Sequence, residues 1–221
     1  MILAVGGTFV YFHFISGPTP APLSLRSAGA TGTPGASATP NAAAASSSMA
    51  GTWNAGSGSV VGYRVKEILF GQNHVAVGRT SAVTGHITIS GSTVTAGAFT
   101  VRMATIKSDE SERDAQFRGR IMDTSAYPAG TLTLTRPIAL APLPALGDIK
   151  SYTAAADLTL RGHTRPVTFP LTAERTAQGI EVSGSIPILF ANWDIPNPSF
   201  TGFVTTQNHG VLEFLLKLGR S

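Results

Sequence analysis

Cysteine is missing from this chain, which excludes a disulfide framework, a thiolate nucleophile and any Cys-based metal centre. Charge is scarce too: 13% of the 221 residues are Asp, Glu, Lys or Arg, and the net charge is +4. The basic residues are scattered rather than run together as a phosphate-tracking patch requires, so nucleic acid is not an expected partner. His13, His74, His86, His163 and His209 show neither H-x-H nor H-x-x-x-H spacing, so no metal site is expected. There is also no G-x-S-x-G elbow and no Gly-rich phosphate loop ahead of a helix. An enzyme reading is left without a nucleophile and base, and neither catalytic residues nor a cofactor are expected. What remains is 24 Gly with many Thr and Ser, a composition that leans toward a β-rich exported protein.

Three regions follow one another. Residues 1–16 begin MILAVGGTFVYFHFI, almost wholly apolar but shorter than the ~20 residues of a bilayer-spanning helix. No Lys or Arg precedes them. Two readings compete: a signal or membrane anchor whose upstream part is missing, and a short cleavable apolar segment. The anchor fits better, because Tyr11, Phe12 and Phe14 before Ser16-Gly17-Pro18 resemble an aromatic interface belt and no small-x-small cleavage site follows directly. Residues 17–50 are Ala, Ser, Thr, Gly and Pro with Arg26 as their one charge, which predicts a disordered, neutral stalk.

From Gly51 to Ser221 the pattern turns to period two. Val61, Tyr63 and Val65 open it; Val83, Gly85, Ile87 and Ile89, then Phe99, Val101 and Met103, continue it. Further apolar alternation runs through Leu132–Leu134, Ala156–Leu160, Val167–Leu171, Val182–Ile188 and Leu212–Leu218. Turn residues at Gly91-Ser92, Gly162-His163 and Gln178-Gly179 separate these runs as hairpins require. About eight strands with one apolar face predict an antiparallel meander closed into an all-β barrel, because closure removes exposed edges. Such an interior is either filled by side chains or wide enough for one elongated ligand, and small inward residues, as at Gly85 and Gly184, leave room.

One stretch breaks the alternation. SDESERDAQFRGRIMDTSAYP, residues 108–128, predicts a short amphipathic helix: acidic residues favour its start, Ser111 and Asp114 have capping-box spacing, and Phe117 and Ile121 form an apolar stripe. Pro128 ends it, and one face must rest on the strands. The pattern alone does not separate a plain connection from a lid.

Three stretches in order, Gly51-Thr52-Trp53 leading into GSGSVVGYRVKE, then ERDAQFRGRIMDTSAYP, then ADLTLRGHTRPVTFPL, resemble those of the YceI-like, polyisoprenoid-binding family. The resemblance covers roughly residues 51–219. It implies an eight-stranded lipocalin-like barrel, a helix near its mouth, and an apolar cavity for an isoprenoid chain such as a prenyl quinone or polyprenyl phosphate. It further implies a non-catalytic protein of the cell envelope, periplasmic or secreted. His163 stands where the family often has Val, and Met122 where an aromatic is common.

An isoprenoid offers mostly hydrocarbon, so its affinity comes from buried apolar area, at ~25 cal/mol per Å², with a few polar groups at one end. The candidate lining is Tyr63, Val65, Phe99, Val101, Phe117, Ile121, Leu158, Phe169, Ile188 and Phe214, each of which could equally be core. For a phosphate head the candidates are Arg113, Arg118, Arg161 and Arg165; for quinone carbonyls they are Tyr63, Tyr127 and Asn192. Arg113 beside Asp114 reads more readily as a pair bracing the helix, and Trp193 in the Asn192–Pro198 loop as a core plug. A module with a packed interior that binds protein on its outer surface is the alternative. The expected partners are thus an isoprenoid lipid or quinone and, through residues 1–16, a membrane; a homodimer is compatible with either reading.

Overall fold

The computed structural model describes residues 19–25, 48–69, 71–199 and 204–220; the expected anchor and most of the expected stalk lie outside them. Because successive strand residues face opposite sides, each alternating run lays its apolar set on one surface. The strands are β1 (Gly51–Ala55), β2 (Val60–Leu69), β3 (Gln72–Thr80), β4 (Val83–Ser90), β5 (Thr93–Arg102) and β6 (Ala129–Leu134). They continue as β7 (Ile138–Ala139), β8 (Ile149–Leu160), β9 (His163–Thr176), β10 (Gly179–Leu189), β11 (Val204–Thr206) and β12 (His209–Arg220). β1, β4, β5, β6, β8, β9, β10 and β12 pair in that order, all antiparallel, and β12 returns to β1 with Trp53 opposite Arg220. The fold is the expected closed eight-stranded antiparallel barrel with one short helix. β2 and β3 prolong β1 and β4 past one end: β2 pairs with β12 and β3, while β11 adds to β2 and β7 to β5.

Hairpin turns fall at or next to the expected residues. Gly91-Ser92 joins β4 to β5. The β8–β9 turn is Arg161-Gly162, one residue earlier than expected, and both have positive φ (46° and 74°) as a two-residue hairpin demands. Likewise Ala177-Gln178 forms the β9–β10 turn and Gly179 already begins β10.

The helix departs from its expectation. The α-helix α1 covers only Ser111–Gln116 and opens into a wide π turn over Phe117–Ile121, with Met122 N–H donating to Phe117 C=O at 2.9 Å. The Ser111–Asp114 capping box does not form. Instead Asp114 Oδ1 accepts from Ser108 N–H (2.7 Å) and Oγ–H (2.8 Å), and Ser108 Oγ accepts from Glu110 N–H. Asp114 is thereby turned away from Arg113, whose partners are Asp109 and Glu67, so the expected Arg113–Asp114 brace is replaced by two longer-range pairs.

Gly85 and Gly184 do not leave open space either. A Cβ on Gly85 would sit 2.6 Å from Phe99 Cα, and one on Gly184 would sit 2.6 Å from Phe214 Cζ. Each makes way for a neighbouring aromatic residue rather than for a ligand.

The barrel has two distinct ends. At one, the helix end, gather α1, the Arg161-Gly162 hairpin and residues 190–199, where Trp193 is 2% exposed and donates from Nε1 to Leu158 C=O at 3.1 Å. At the other, Met49 is 3% exposed, and its carbonyl accepts from Trp53 Nε1 at 2.9 Å. Residues 19–25 lie on the outer wall. Leu23 N–H donates to Glu213 Oε2 at 3.2 Å, and Arg64 and Arg79, which both pair with Glu213, also donate to the carbonyls of Pro20 and Ala21. Glu213 is 3% exposed and compensated by two guanidinium groups, as a buried carboxylate must be.

Candidate functional site: an apolar cavity with one polar end

Between the two ends the barrel encloses a cavity of about 290 Å³, walled almost wholly by apolar side chains, close to the ~300 Å³ lower bound of typical ligand pockets. Gly210, Leu212, Phe214, Leu216 and Leu218 all line it, so it follows β12 for about 27 Å at the usual strand rise. Room comes from small inward residues: Ala76, Gly97, Ala154 and Ala156 stand on its wall where larger side chains would fill it.

All ten residues expected to line such a cavity do so. Tyr63 and Val65 enter from β2, Phe99 and Val101 from β5, Leu158 from β8, Phe169 from β9, Ile188 from β10 and Phe214 from β12. Phe117 and Ile121 reach the wall from the π turn, and the Phe117 ring stacks on Tyr63 with centroids 5.3 Å apart and planes 13° from parallel. Phe169 and Phe214 meet edge to face at 5.9 Å. Favourable aromatic geometry therefore marks both the helix end and the middle of the wall.

The head-group candidates divide. Arg113 lines the cavity; Arg118, Tyr127, Arg161, Arg165 and Asn192 stand outside its wall. Arg161 donates to Ile121 C=O at 2.5 Å and lies 5.7 Å over the Tyr127 ring, clamping hairpin to helix. Arg165 Nε donates to Asn192 C=O at 3.0 Å. These residues hold the rim together.

Sequence reasoning missed the polar residues Glu67 and Thr206 at the helix end of the wall, which face each other in the β2–β11 register, as well as Thr131, Tyr152, Glu174, Arg175 and Glu213 elsewhere on it. Glu67 Oε1 accepts from Arg113 Nη2 at 3.1 Å and lies 3.0 Å from His74 Nδ1, and Arg113 Nη1 reaches Asp109 Oδ1 at 2.5 Å. Burial alone would lower the Arg113 pKa, but Glu67 and Asp109 outweigh it and hold the guanidinium above its ordinary value. Burial also pushes the Tyr63 phenol well above the usual tyrosine range, with Arg113 acting against the shift and Asp114, Glu67 and Asp109 reinforcing it. Glu67 was within reach of the period-two pattern, since 61, 63 and 65 continue onto 67; Thr206 sits in a strand of three residues, too short to show a period. Among the described residues no group of three or more His, Asp or Glu could hold a metal ion, and no helix is long and apolar enough to cross a membrane.

The model of the YceI-like domain matches residues 53–217. This chain belongs to the YceI-like family. Its barrel superimposes on a polyisoprenoid-binding domain from Saccharophagus degradans implicated in plant cell wall breakdown, with a TM-score of 0.64, 15% identity, and coverage of 78% of this chain and 99% of that one. It also superimposes on BcnA of Burkholderia cenocepacia, with a TM-score of 0.54, 19% identity, and coverage of 70% and 94%. At these identities the likeness is one of fold. No curated protein matches the chain. YceI-like domains are in general binding rather than catalytic.

Proposed function

We propose that this YceI-like barrel binds an isoprenoid or related amphipathic lipid along its axis and serves as an envelope carrier or store on the extracytoplasmic side, held to the membrane through residues 1–16. The observation that carries the reading is the continuous, almost wholly apolar cavity of about 290 Å³ with the Glu67–Arg113–Thr206 polar groups at its helix end. Hydrocarbon burial at ~25 cal/mol per Å² supplies affinity without direction, and a small polar end supplies direction. A packed interaction module has no use for Ala154 and Ala156 facing a hollow, because close-packed interiors leave few voids larger than a water molecule.

Native mass spectrometry with organic extraction, on the full chain exported from a bacterial host, tests the proposal. A stoichiometric mass excess that extracts as an isoprenoid is expected. A clean apo mass unchanged by incubation with prenyl quinones and polyprenyl phosphates would replace the carrier with the interaction module.

A further inference from the structure

The outer wall over β12, β2 and β3 carries a charged cluster that lipid binding leaves unexplained. In the strand register Glu213 stands opposite Gly62, and Gly62 opposite Arg79, so the three form one row across the strands. Gly62 has no side chain to block the row: a Cβ there would sit 2.9 Å from Arg79 Cγ. Arg79 therefore crosses over it. Its Nε and Nη2 donate to Glu213 Oε1 at 3.1 and 2.7 Å, while Arg64 Nε donates to Glu213 Oε2 at 2.9 Å. Desolvation offsets most of the Coulomb attraction in a buried ion cluster, so such a cluster adds little net stability. What it supplies is a carboxylate and two guanidinium forks in fixed positions.

Each of the three has hydrogen-bonding capacity left, and one segment engages them all. Arg64 Nη2 donates to the Pro20 carbonyl, Arg79 Nη2 donates to the Ala21 carbonyl, and Glu213 Oε2 accepts from the Leu23 amide at 3.2 Å. Every one of these contacts is to backbone. The segment, TPAPLSL, has the sequence for it. Pro20 and Pro22 hold the residues before them extended and carry no N–H, so the segment cannot add to the sheet as a paired strand and its carbonyls are served by side-chain donors instead. Leu25, 8% exposed, anchors its end. Thr19–Leu25 precedes the residues 53–217 of the matched domain, so the occupant is no part of that domain.

We propose that Arg64, Glu213 and Arg79 form a docking site that reads the backbone of an extended, proline-spaced peptide: two successive carbonyls, an amide two residues on, and an aliphatic side chain two residues further. The chain's own Thr19–Leu25 is the resident occupant. A polypeptide partner of this wall presents the same pattern and displaces that strap.

Hydrogen exchange on the full chain is the first test. The Leu23 amide should exchange at least about tenfold more slowly than in a free peptide of residues 17–27, because it donates to a buried carboxylate. Leu25→Asp, which alters the strap and not the barrel, should abolish that protection. The vacated site of the Leu25→Asp chain is then probed with the labelled 17–27 peptide by fluorescence anisotropy, and the peptide should bind. An N-methyl group on the peptide's Leu23 should weaken it at least about tenfold. Adding Arg79→Lys to the chain, which keeps the charge and loses the fork, should weaken the unmodified peptide about three- to tenfold. Exchange of Leu23 at the free-peptide rate in the unaltered chain, equal affinity of the plain and N-methylated peptides, or no binding of either overturns the inference.

Discussion

Met49 and Phe117 close opposite ends of one cavity, and the neighbours of each differ in kind. Met49 packs among Leu140, Ile180 and Leu218, with Trp53 holding its carbonyl and the Arg220 guanidinium 5.6 Å over the Trp53 ring. Tyr152, Glu174 and Arg175 also line the cavity toward this end, but Met49 and its apolar neighbours close it, so this end works chiefly as a floor. Phe117 stacks on Tyr63 beside Glu67, Arg113 and Thr206. It stands in a π turn rather than a regular helix, a backbone feature that recurs at functional sites. A ligand pocket needs an end that only seals and an end that recognises, and here the two are built from different chemistry on one continuous wall.

Substitutions can break that contrast. Phe117→Asp puts an unpaired carboxylate at the recognising end, and lipid capture should be lost outright while the far-ultraviolet β signature persists, because the ring belongs to a connection and not to the sheet. Lipid retained by this variant would show that Phe117 is as inert as the floor. Met49→Ala should lower stability by about 2–5 kcal/mol, as for other buried Met truncations, measured by denaturant unfolding, yet leave head-group preference intact. A changed preference would mean that the floor recognises as well. The smallest effect concerns Tyr63. Its pKa is higher in the folded protein than its ordinary value of 10.0, so above that pH the unfolded chain loses a proton that the folded chain keeps. Stability then falls as pH rises past 10. Tyr63→Phe should flatten that fall in thermal unfolding, leaving a residue from Tyr152, whose pKa burial also raises; an unaltered slope would place the titration elsewhere.

The strands were legible because half-buried β-structure writes its burial into every second residue, and the same parity selected eight of the ten wall residues, the helical stripe supplying Phe117 and Ile121. Parity says nothing about partners distant in sequence. Arg113 sits beside Asp114 in the chain, but its guanidinium reaches Glu67, 46 residues away, and adjacency misassigned it. Composition misled at Gly85 and Gly184 for a related reason: a missing side chain marks space, and in a packed barrel a neighbour such as Phe99 or Phe214 claims it. Of the head-group candidates, only Tyr63 and Arg113 reach the wall; the arginines were chosen for their charge, and three of the four serve backbone carbonyls or pair with carboxylates within the protein.

The seven residues from Thr19 to Leu25 also give the molecule a direction of load. Thr19 and Pro20 share a small cleft with His74, Ser108 and Asp109, so Thr19 itself stands beside the helix end. A force applied at Thr19 would be borne by the Leu23 amide on Glu213 and by the Arg64 and Arg79 clamps, well away from Met49. The segment Thr19–Leu25 thus makes the rim, and not the floor, the part of the barrel that takes strain first.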